Sequence, residues 1–250
     1  MSKVLEITDF SKAYDSNKPA VEHISLSVEE GEIFGFIGHN GAGKSTTIKS
    51  VVGILPVRRD DIHICGMSLW EQKKECQKLM AYIPDNPDLY EYMTGIGFIN
   101  FIADVYQVPT EERTARIEEL ADAFEIKSQL GDLISSYSHG MKQKIALMTA
   151  FVHKPKLLVL DEPFVGLDPK ASAVLKQQMR ALCSEGSAIF FSTHVLEVAE
   201  KLCDRIAMID HGHIVVQGKV EELTRDKCLE DVFLEQLQIQ KDTCKEEKDA

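Results

Sequence analysis

A phosphate-binding loop is the first feature of the sequence that could carry chemistry. Residues Gly38–Ser45 match the pattern G-x-x-x-x-G-K-[ST], in which glycines let backbone N–H groups converge on phosphate oxygens. Lys44 would reach the β and γ phosphates as a point charge, and Ser45 would offer its hydroxyl to Mg²⁺. Chance would produce the pattern in about one random chain in a hundred. We therefore predict nucleotide binding by Gly38, His39, Asn40, Gly41, Ala42, Gly43, Lys44 and Ser45.

Two adjacent carboxylates follow an apolar run later in the chain. Leu157–Leu160 is entirely apolar and is followed by Asp161 and Glu162. A carboxylate at the end of a buried strand can hold Mg²⁺, directly or through water, while its neighbour polarises the attacking water as a general base. The alternative is an ordinary acidic loop after a strand. The phosphate loop in the same chain favours the metal ligand and the base.

A parallel sheet must position the loop and the carboxylates. Glu32–Ile37 is nearly all apolar and precedes Gly38, and a helix-compatible run extends from Lys44 to Val52. Apolar runs then alternate with helix-like stretches, which is typical of a doubly wound α/β core. The predicted strands are Leu157–Leu160, Ala188–Phe191 and Ile206–Ile209, and the predicted helices are Lys170–Cys183 and Leu196–Leu202.

Two further layers are predicted around this core. The β-branched and aromatic residues of Val4–Phe10 and Ile24–Val28 indicate a small antiparallel layer. From Met93 to about Ala150 the apolar residues follow helical spacing, which indicates an inserted all-α lobe. The predicted apolar faces of this lobe consist of Phe98, Phe101, Ile102 and Val105 on one helix and Ile117, Leu120, Ala121 and Phe124 on another.

Composition and charge exclude several classes of protein. The 250 residues, 44% hydrophobic and 27% charged, are typical of a one-domain globular protein. With 28 basic and 40 acidic residues the formal net charge is -12, which would repel a nucleic-acid backbone. The most apolar stretches run about eight residues, too short for a bilayer-spanning helix, and Met1–Asp9 has no signal-peptide core. The six cysteines lack Cys-x-x-Cys spacing and are interpreted as reduced thiols.

The order of the motifs resembles that of the ATPase subunits of ATP-binding cassette (ABC) transporters, over roughly residues 3–224. Tyr14 matches the position on which adenine stacks, with a half-buried strand tyrosine as the alternative. Residues 137–141 align with the signature Leu-Ser-Gly-Gly-Gln, through Ser138, His139, Gly140 and Met141. Gly166–Asp168 match the loop that crosses between partners, and His194 matches the switch histidine that contacts the γ phosphate.

The resemblance implies a fold and a division of the chain. The fold would be that of a P-loop NTPase, with a RecA-like parallel-sheet core, an N-terminal antiparallel β layer and a helical lobe inserted at about 86–150. One ABC ATPase domain would occupy residues 1–224. Residues 225–250, which are rich in charge, would form a short helix and a tail that frays at Lys241–Ala250.

The resemblance also implies the site, the cofactors and the partners. ATP and Mg²⁺ would be bound between two cassettes packed head to tail, predicted as a homodimer, so that the Ser138 loop of one closes over the ATP held by the other. Lys44, Glu162 and His194 would be catalytic. Mg²⁺ would be held by Ser45, Asp85 and Asp161, and nucleotide contacts would come from the loop residues and from Tyr14, Thr46, Asp85, Ser138, His139, Gly140, Met141, Asp161 and Asp168.

A membrane permease is the second implied partner, and no nucleic acid is expected. This partner would hold the chain at the cytoplasmic face of the cell membrane as a peripheral subunit. The segment Pro84–Phe101 would receive the permease, with Leu89, Tyr90, Tyr92 and Met93 available for packing. The alternative is that aromatic residues close the core of the lobe, which we prefer for Phe98 and Phe101.

Three positions depart from the family pattern. Asp85 stands where the family usually has Gln; its carboxylate can still approach Mg²⁺ but is one methylene shorter and adds negative charge. His139 replaces the first glycine of the signature and Met141 replaces its Gln, which leaves the hydroxyl of Ser138 and the N–H of Gly140 available. Similar forms occur in bacterial cassettes that drive exporters whose permease is a separate chain, and this favours export.

Other functions share some of these motifs. A soluble ABC-type ATPase that acts in assembly with a cytosolic partner would have every nucleotide motif and stays open. A small-molecule kinase could use the same phosphate loop but would lack the Ser138 signature and His194. The transported substrate does not follow from the sequence, because its specificity would lie in the permease.

Overall fold

The computed structural model describes residues 2–15 and 18–236. Residues 229–236 are helical, while the predicted tail Lys241–Ala250 lies outside the described residues. Among the helices of these described ranges, none has both the length and the hydropathy to cross a bilayer.

A six-stranded sheet contains the predicted core strands. In spatial order its strands are β10 (His213–Lys219), β9 (Arg205–Asp210), β3 (Ile33–Ile37), β8 (Ala188–Thr193), β7 (Leu157–Asp161) and β6 (Met80–Ile83). All pairs are parallel except the one between β10 and β9. Every residue of β3, β7 and β8 is buried, and burial on both faces explains their continuous apolar runs. The edge strands β6 and β10 were not predicted.

Helices return the chain between the parallel strands. These are α1 (Lys44–Val51) after β3, α6 (Pro169–Ser184) between β7 and β8, and α7 (Leu196–Leu202) between β8 and β9, while α8 (Val220–Leu223) follows β10. Because each crossover restores the strand direction, the carboxyl ends of β3, β7, β8 and β9 meet at one edge of the sheet. The predicted helices are present: α7 has the predicted boundaries, and the boundaries of α1 and α6 differ from the prediction by at most one residue.

The predicted antiparallel layer is a second sheet in the order β2-β1-β4-β5. Its strands are β1 (Lys3–Asp15), β2 (Lys18–Glu29), β4 (Ile62–Ile64) and β5 (Met67–Ser68), and the short helix α2 (Lys73–Lys78) leads from it to β6. Phe10 of this layer shares a buried hydrophobic cluster with Phe36 and Phe190 of the larger sheet, whose rings lie 5.5 Å apart. This cluster holds β1 over the phosphate-loop side of the core.

Three helices between β6 and β7 correspond to the predicted lobe. They are α3 (Gly95–Val105), α4 (Thr110–Ala123) and α5 (His139–His153). The hydroxyl of Thr94 accepts the N–H of Gly97 at 3.1 Å and caps α3. Ile99 and Ile145 belong to the same buried cluster as Ile189 of the core sheet, so the helices pack onto the core. Because the helices and the sheet share one hydrophobic cluster, this packing marks no boundary between lobe and core, and the lobe limits of about 86–150 stay a prediction.

The predicted apolar face of α3 is wrong at two positions. Phe98 is buried, but 40% of Phe101 and 60% of Val105 are exposed. The buried residues are Gly95, Phe98, Ile99 and Ala103. Their spacing of three, four and eight residues from Gly95 defines a stripe rotated from the predicted one, and Phe101 lies outside it.

Candidate nucleotide-binding site

The phosphate loop joins β3 to α1 at the carboxyl edge of the larger sheet. Gly43 has a φ of 115°, and a Cβ at this position would lie 2.7 Å from the carbonyl oxygen of Ala20. Glycine alone adopts this left-handed conformation freely and leaves room for the β layer. Helix α1 begins at Lys44 without a side-chain cap, so the N–H groups of its first turn are available to an anion.

Lys44 lies across the mouth of this loop. Its ammonium donates to the carbonyl oxygen of Gly38 at 2.6 Å and to that of His39 at 3.2 Å, and only 6% of the residue is exposed. The carboxylate oxygen Oε1 of Glu162 lies 3.5 Å from Nζ. A buried cation held by weak neutral acceptors is prepared to neutralise a phosphate group, because a charged acceptor binds an ammonium more strongly than a carbonyl does.

Asp161 and Glu162 lie where β7 ends. Asp161 is 3% exposed, and its Oδ1 accepts the hydroxyl hydrogen of Ser192 at 2.5 Å. The same hydroxyl oxygen accepts the backbone N–H of Glu162 at 3.1 Å. Asp161 and Ser192 are direct partners in the parallel register of β7 and β8, which explains this contact. One serine thus orients both acidic residues.

Glu162 has a strained backbone and an unsatisfied oxygen. Its φ is 47°, which is uncommon for a residue with a side chain. His194 Nδ1 lies 3.0 Å from Oε1, but the pair is not aligned for a hydrogen bond, and this buried oxygen has no hydrogen-bond partner among the described residues. A buried carboxylate oxygen without a donor is available to a water molecule or a substrate.

A cleft of about 230 Å³ brings the two halves of the site together. Its lining includes Lys44 and Ser45 from the loop, Asp161 at the end of β7 with Glu162 directly after it, and Asp85 from the segment after β6. A serine hydroxyl and several carboxylates form the all-oxygen donor set that Mg²⁺ prefers. The donors present therefore fit this ion.

Tyr14 and Thr46 meet at the rim of this cleft. The two hydroxyl oxygens lie 3.3 Å apart, and Thr46 lines the cleft two residues after Lys44. The side chain of Tyr14 is largely solvent-accessible, with 65% of the residue exposed. An exposed aromatic ring beside the loop suits stacking with a base, whereas the alternative of a half-buried strand tyrosine does not agree with this exposure.

The signature segment, residues 137–141, borders a different groove through Tyr137 and His139. The Ser138 hydroxyl accepts the N–H of Met141 at 3.3 Å and caps α5. His139 lines this groove together with Asn86 and Glu91, and Glu91 pairs with Lys142 at 2.6 Å. The sequence predicted a nucleotide contact for these residues, and the structure of one chain places them apart from the cleft of Lys44.

The Gly166–Asp168 loop packs against this signature segment. A Cβ on Gly140 would lie 2.8 Å from the carbonyl oxygen of Gly166, so the two loops are in close contact. Asp168 accepts the N–H of Ala171 at 2.8 Å and caps α6. This hydrogen bond and Lys144, 3.2 Å from Oδ2, lower the pKa of Asp168. The signature segment and the Gly166–Asp168 loop therefore lie next to each other on one surface.

Asp85 accepts a hydrogen bond within a turn and also lines the cleft of Lys44. Its Oδ1 accepts the backbone N–H of Asn86 at 2.9 Å, as expected for a residue that stabilises a turn. It also lines the cleft with Lys44 and Asp161. Burial and the charges of Asp161 and Asp85 raise the pKa of Tyr82, so this phenol stays protonated beside the two carboxylates.

Ser192 is the residue that the sequence did not single out. It is the next-to-last residue of β8, two residues before His194, and a buried strand serine carries no sequence signal of its own. The signal that could have found it is its position in the Ser-Thr-His run at the carboxyl end of a predicted parallel strand.

Comparisons with known proteins agree with this geometry. The family described as ABC transporter matches residues 21–165. The ABC-type transporter ATP-binding protein EcsA of Bacillus subtilis is 33% identical over 93% of this chain and 96% of its own length. The linearmycin resistance ATP-binding protein LnrL of the same organism is 32% identical over 88% of this chain and 70% of its own length.

A solved structure described as the ATP-binding subunit of an ABC transporter has the same fold. It superposes with a TM-score of 0.89 at 33% identity and covers 94% of this chain and 99% of its own. The predicted fold class is therefore confirmed: a mixed α/β P-loop NTPase with a parallel and an antiparallel sheet. With the phosphate loop, the carboxylate pair and these relatives, the chain belongs to the ABC transporter family as an ATP-binding ATPase subunit that powers transport.

Proposed function

We propose that two copies of this chain hydrolyse MgATP in a head-to-tail dimer and thereby drive export through a separate membrane permease. The observation that carries the catalytic part is the position of Glu162, whose Oε1 lies between the Lys44 ammonium at 3.5 Å and the His194 imidazole at 3.0 Å. A carboxylate with an unsatisfied oxygen between two cationic or polar groups can accept a proton from water next to a bound γ phosphate.

The residues of the cleft divide the work. Lys44 exchanges its carbonyl partners for phosphate oxygens and neutralises their charge. Glu162 takes a proton from the attacking water, whose oxygen bonds to the γ phosphorus while the bond from phosphorus to the ADP oxygen breaks. His194 holds the γ phosphate, and Ser192 keeps both acidic residues in place.

Mg²⁺ fits the cleft through Ser45, Asp161 and Asp85. Bound there, the ion supplies a positive charge that neutralises the phosphate oxygens. Asp85 makes this set more negative than the usual glutamine would, because it adds a third carboxylate to Asp161 and Glu162.

A dimer is supported by the position of the signature segment and the Gly166–Asp168 loop, which do not line the cleft of Lys44. Ser138 and Gly140 present a hydroxyl and a backbone N–H at the start of α5, which suits a phosphate group. In one chain Gly140 lies beside Gly166, and neither Ser138 nor Gly140 lines the cleft of Lys44, so the nucleotide that they contact would be held by another copy. A homodimer provides that second copy without a further gene product.

A surface on the helical lobe supports a permease partner. Tyr90 is 53% exposed, and its ring lies 5.8 Å from those of Phe98 and Phe101. The adjacent groove of about 300 Å³ is lined by Pro84, Pro87 and other residues of this segment. Leu89 is 8% exposed and lines the same groove. Exposed aromatic residues beside an apolar groove are typical of a protein interface.

Export and a peripheral position at the cytoplasmic face of the membrane complete the proposal. A relative of this chain carries a name for resistance to linearmycin, which agrees with removal of a compound from the cell. The alternative of a soluble ATPase with a cytosolic assembly partner predicts a co-purifying chain without membrane-spanning helices.

Two measurements test the proposal. Light scattering of Glu162→Gln with and without MgATP should show a doubled mass only with the nucleotide, and an unchanged mass at saturation would contradict the homodimer. Purification of the tagged chain from membranes should bring a membrane-spanning chain with it. Tyr90→Ser should weaken this association and Trp70→Ser, an exposed aromatic outside the groove, should not. A soluble partner in place of the membrane chain would favour the alternative.

A further inference from the structure

Three potential metal ligands lie together at the phosphate loop: His39, which also lines the catalytic cleft, and Asp210 and His211, which do not line it. His39 Nε2 lies 2.7 Å from Asp210 Oδ1, and His211 Nε2 lies 3.9 Å from the same oxygen. One ligand atom from each of these side chains lies within 4.8 Å of the other two. The rings of His39 and His211 meet edge to face, 5.2 Å apart. Two imidazoles and one carboxylate thus converge on one point.

The sheet register explains why residues so distant in sequence meet here. Strands β3 and β9 are parallel neighbours, and Ile37 pairs with Met208. Two residues farther along the chain from each, His39 follows the end of β3 and Asp210 ends β9, and the two side chains meet at the carboxyl edge. The approach is close, since a Cβ on Gly38 would lie 2.4 Å from the carbonyl oxygen of Ile209. The fold therefore fixes two of the three ligands.

The third ligand stands on a turn that is tied to the phosphate loop. His211 and Gly212 form the two-residue connection of the β9-β10 hairpin, with φ values of 44° and 88°. The N–H of Gly212 donates to the carbonyl oxygen of Ala42 at 2.9 Å, and its own carbonyl oxygen accepts the N–H of Glu22 at 2.9 Å. These bonds fix the backbone of His211 next to Asp210.

The hydrogen bonds of His39 prepare it for a metal. Its Nδ1 lies 2.7 Å from the carbonyl oxygen of Asn40, which can only accept, so Nδ1 carries a hydrogen. This arrangement leaves Nε2 as the nitrogen that faces Asp210. Histidines that bind metals typically donate their other ring N–H to a backbone carbonyl, which fixes the tautomer and the orientation of the ring. An ion can replace a proton between Nε2 and the carboxylate.

The donor types and distances select the ion. Two nitrogens and one oxygen suit Zn²⁺ and related transition metals, whereas Mg²⁺ prefers oxygen alone. Bonds of about 2.0 to 2.1 Å in tetrahedral geometry place the donors about 3.3 Å apart. The separations of 2.7 and 3.9 Å bracket that value, and the His211 side chain, 73% exposed, can move to meet the ion.

We propose that His39, Asp210 and His211 bind a divalent transition-metal ion, with Zn²⁺ as the probe, and that the ion ties the phosphate loop to the β9-β10 turn. A water molecule completes the coordination at the open position. The site borders the MgATP cleft through His39 but differs from the proposed Mg²⁺ ligands Ser45, Asp85 and Asp161 in all three of its ligands and in its preferred metal.

Titration calorimetry with ZnCl₂ on the full-length chain tests the site, after alkylation of the cysteines so that thiolates do not compete. The matched variants are His211→Asn and His213→Asn, which lie two residues apart on one hairpin; His213 pairs with Glu22 at 3.5 Å instead. Asparagine tolerates the left-handed backbone at position 211, so the His211→Asn variant should keep the fold of the unsubstituted chain. Circular dichroism checks it.

We expect one zinc site in the unsubstituted chain and in His213→Asn, with affinities within about twofold, and a loss of at least about tenfold in His211→Asn. Asp210→Asn should lose the site as well. Zinc should raise the melting temperature of the unsubstituted chain and of His213→Asn, and leave that of His211→Asn unchanged. Absence of zinc binding to the unsubstituted chain, or equal binding by His211→Asn, would overturn the proposal.

Discussion

The hydroxyl of Ser192 connects the two acidic residues at the end of β7. It donates to Asp161 Oδ1 at 2.5 Å and accepts the backbone N–H of Glu162 at 3.1 Å. Ser192 is fully buried, so no water can replace it without a rearrangement of the strands. The proposed metal ligand and the proposed base therefore depend on one side chain of the neighbouring strand.

Ser192→Ala should reduce ATP turnover and leave ATP affinity nearly unchanged. The substitution leaves an acceptor of Asp161 and the N–H of Glu162 unpaired, at a cost of about 1–3 kcal/mol each in the free energy of unfolding. Steady-state kinetics and urea unfolding measure both effects. Ser187→Ala is the control, because Ser187 is also buried and donates to Pro155 at 2.7 Å before the same strand. If both variants turn over alike per folded molecule, Ser192 only stabilises the sheet.

Glu162→Gln should bind MgATP and hydrolyse it about 10²- to 10⁴-fold more slowly, since an amide keeps the shape but cannot accept the proton of water. Phosphate release under saturating MgATP measures the rate. Glu185→Gln, at a half-exposed glutamate that pairs with Lys154, should retain normal turnover. A Glu162→Gln rate within a few-fold of the unsubstituted chain would exclude Glu162 as the base.

Lys44→Ala should weaken nucleotide binding itself, by about tenfold or more, because it removes the charge that compensates the phosphates. Equilibrium binding of a fluorescent ATP analogue measures the change. Lys49→Ala provides a matched control, since Lys49 is exposed in the last turn of the same helix. Unchanged affinity of Lys44→Ala would contradict the role of this ammonium.

The phosphate loop and the carboxylate pair could be predicted because their spacing is local. Glycines, Lys44 and Ser45 lie within eight consecutive residues, and Asp161 directly follows a buried apolar strand. The strand order and the packing of side chains depend on contacts that a local pattern does not contain. His39 and Asp210 are 171 residues apart and meet only through the register of β3 and β9.

The strands that were not predicted illustrate the same limit. β6 has only four residues, Met80–Ile83, and follows a short helix without a clear boundary in the sequence. The sequence places Phe101 on the apolar face of α3 because its side chain is aromatic. In the structure Phe101 lies outside the buried stripe of this helix. Tertiary packing, and not residue type, decides which aromatic side chain of such a helix is buried.

We expect the free energy of unfolding to fall at acidic pH because of His153. Its Nδ1 is buried and has no hydrogen-bond partner among residues 2–15 and 18–236, its ring stacks on Tyr106 at 3.6 Å, and burial lowers the pKa of this imidazole below its ordinary value of 6.5. Because the unfolded chain binds the proton more readily, the stabilising contribution is complete above the unfolded pKa. It is lost as the pH falls through the folded pKa.

His153→Leu should therefore reduce the loss of unfolding free energy between about pH 7.5 and about pH 5.5, as measured by urea titration at both values. His23→Leu is the control of opposite sign: the hydrogen bond that this exposed histidine donates to Asp9 raises the pKa of its imidazole, so its small contribution is present at low pH and lost as the pH rises. An unchanged pH dependence in His153→Leu would show that His153 is not the group responsible.

Asp85→Ala should lower ATP turnover and leave ATP affinity nearly intact, because Lys44 and the loop N–H groups still hold the phosphates. The opposing interpretation is that Asp85 only stabilises the turn at Asn86, where it accepts a backbone N–H at 2.9 Å. Asp85→Gln distinguishes them, since it removes one negative charge from the cleft but keeps an oxygen ligand. Its activity should survive with a changed Mg²⁺ dependence. ATPase rates against Mg²⁺ and melting temperatures should be measured together, with Asp88→Ala of the same segment as the control. A lower melting temperature with normal kinetics in Asp85→Ala would restrict Asp85 to the turn.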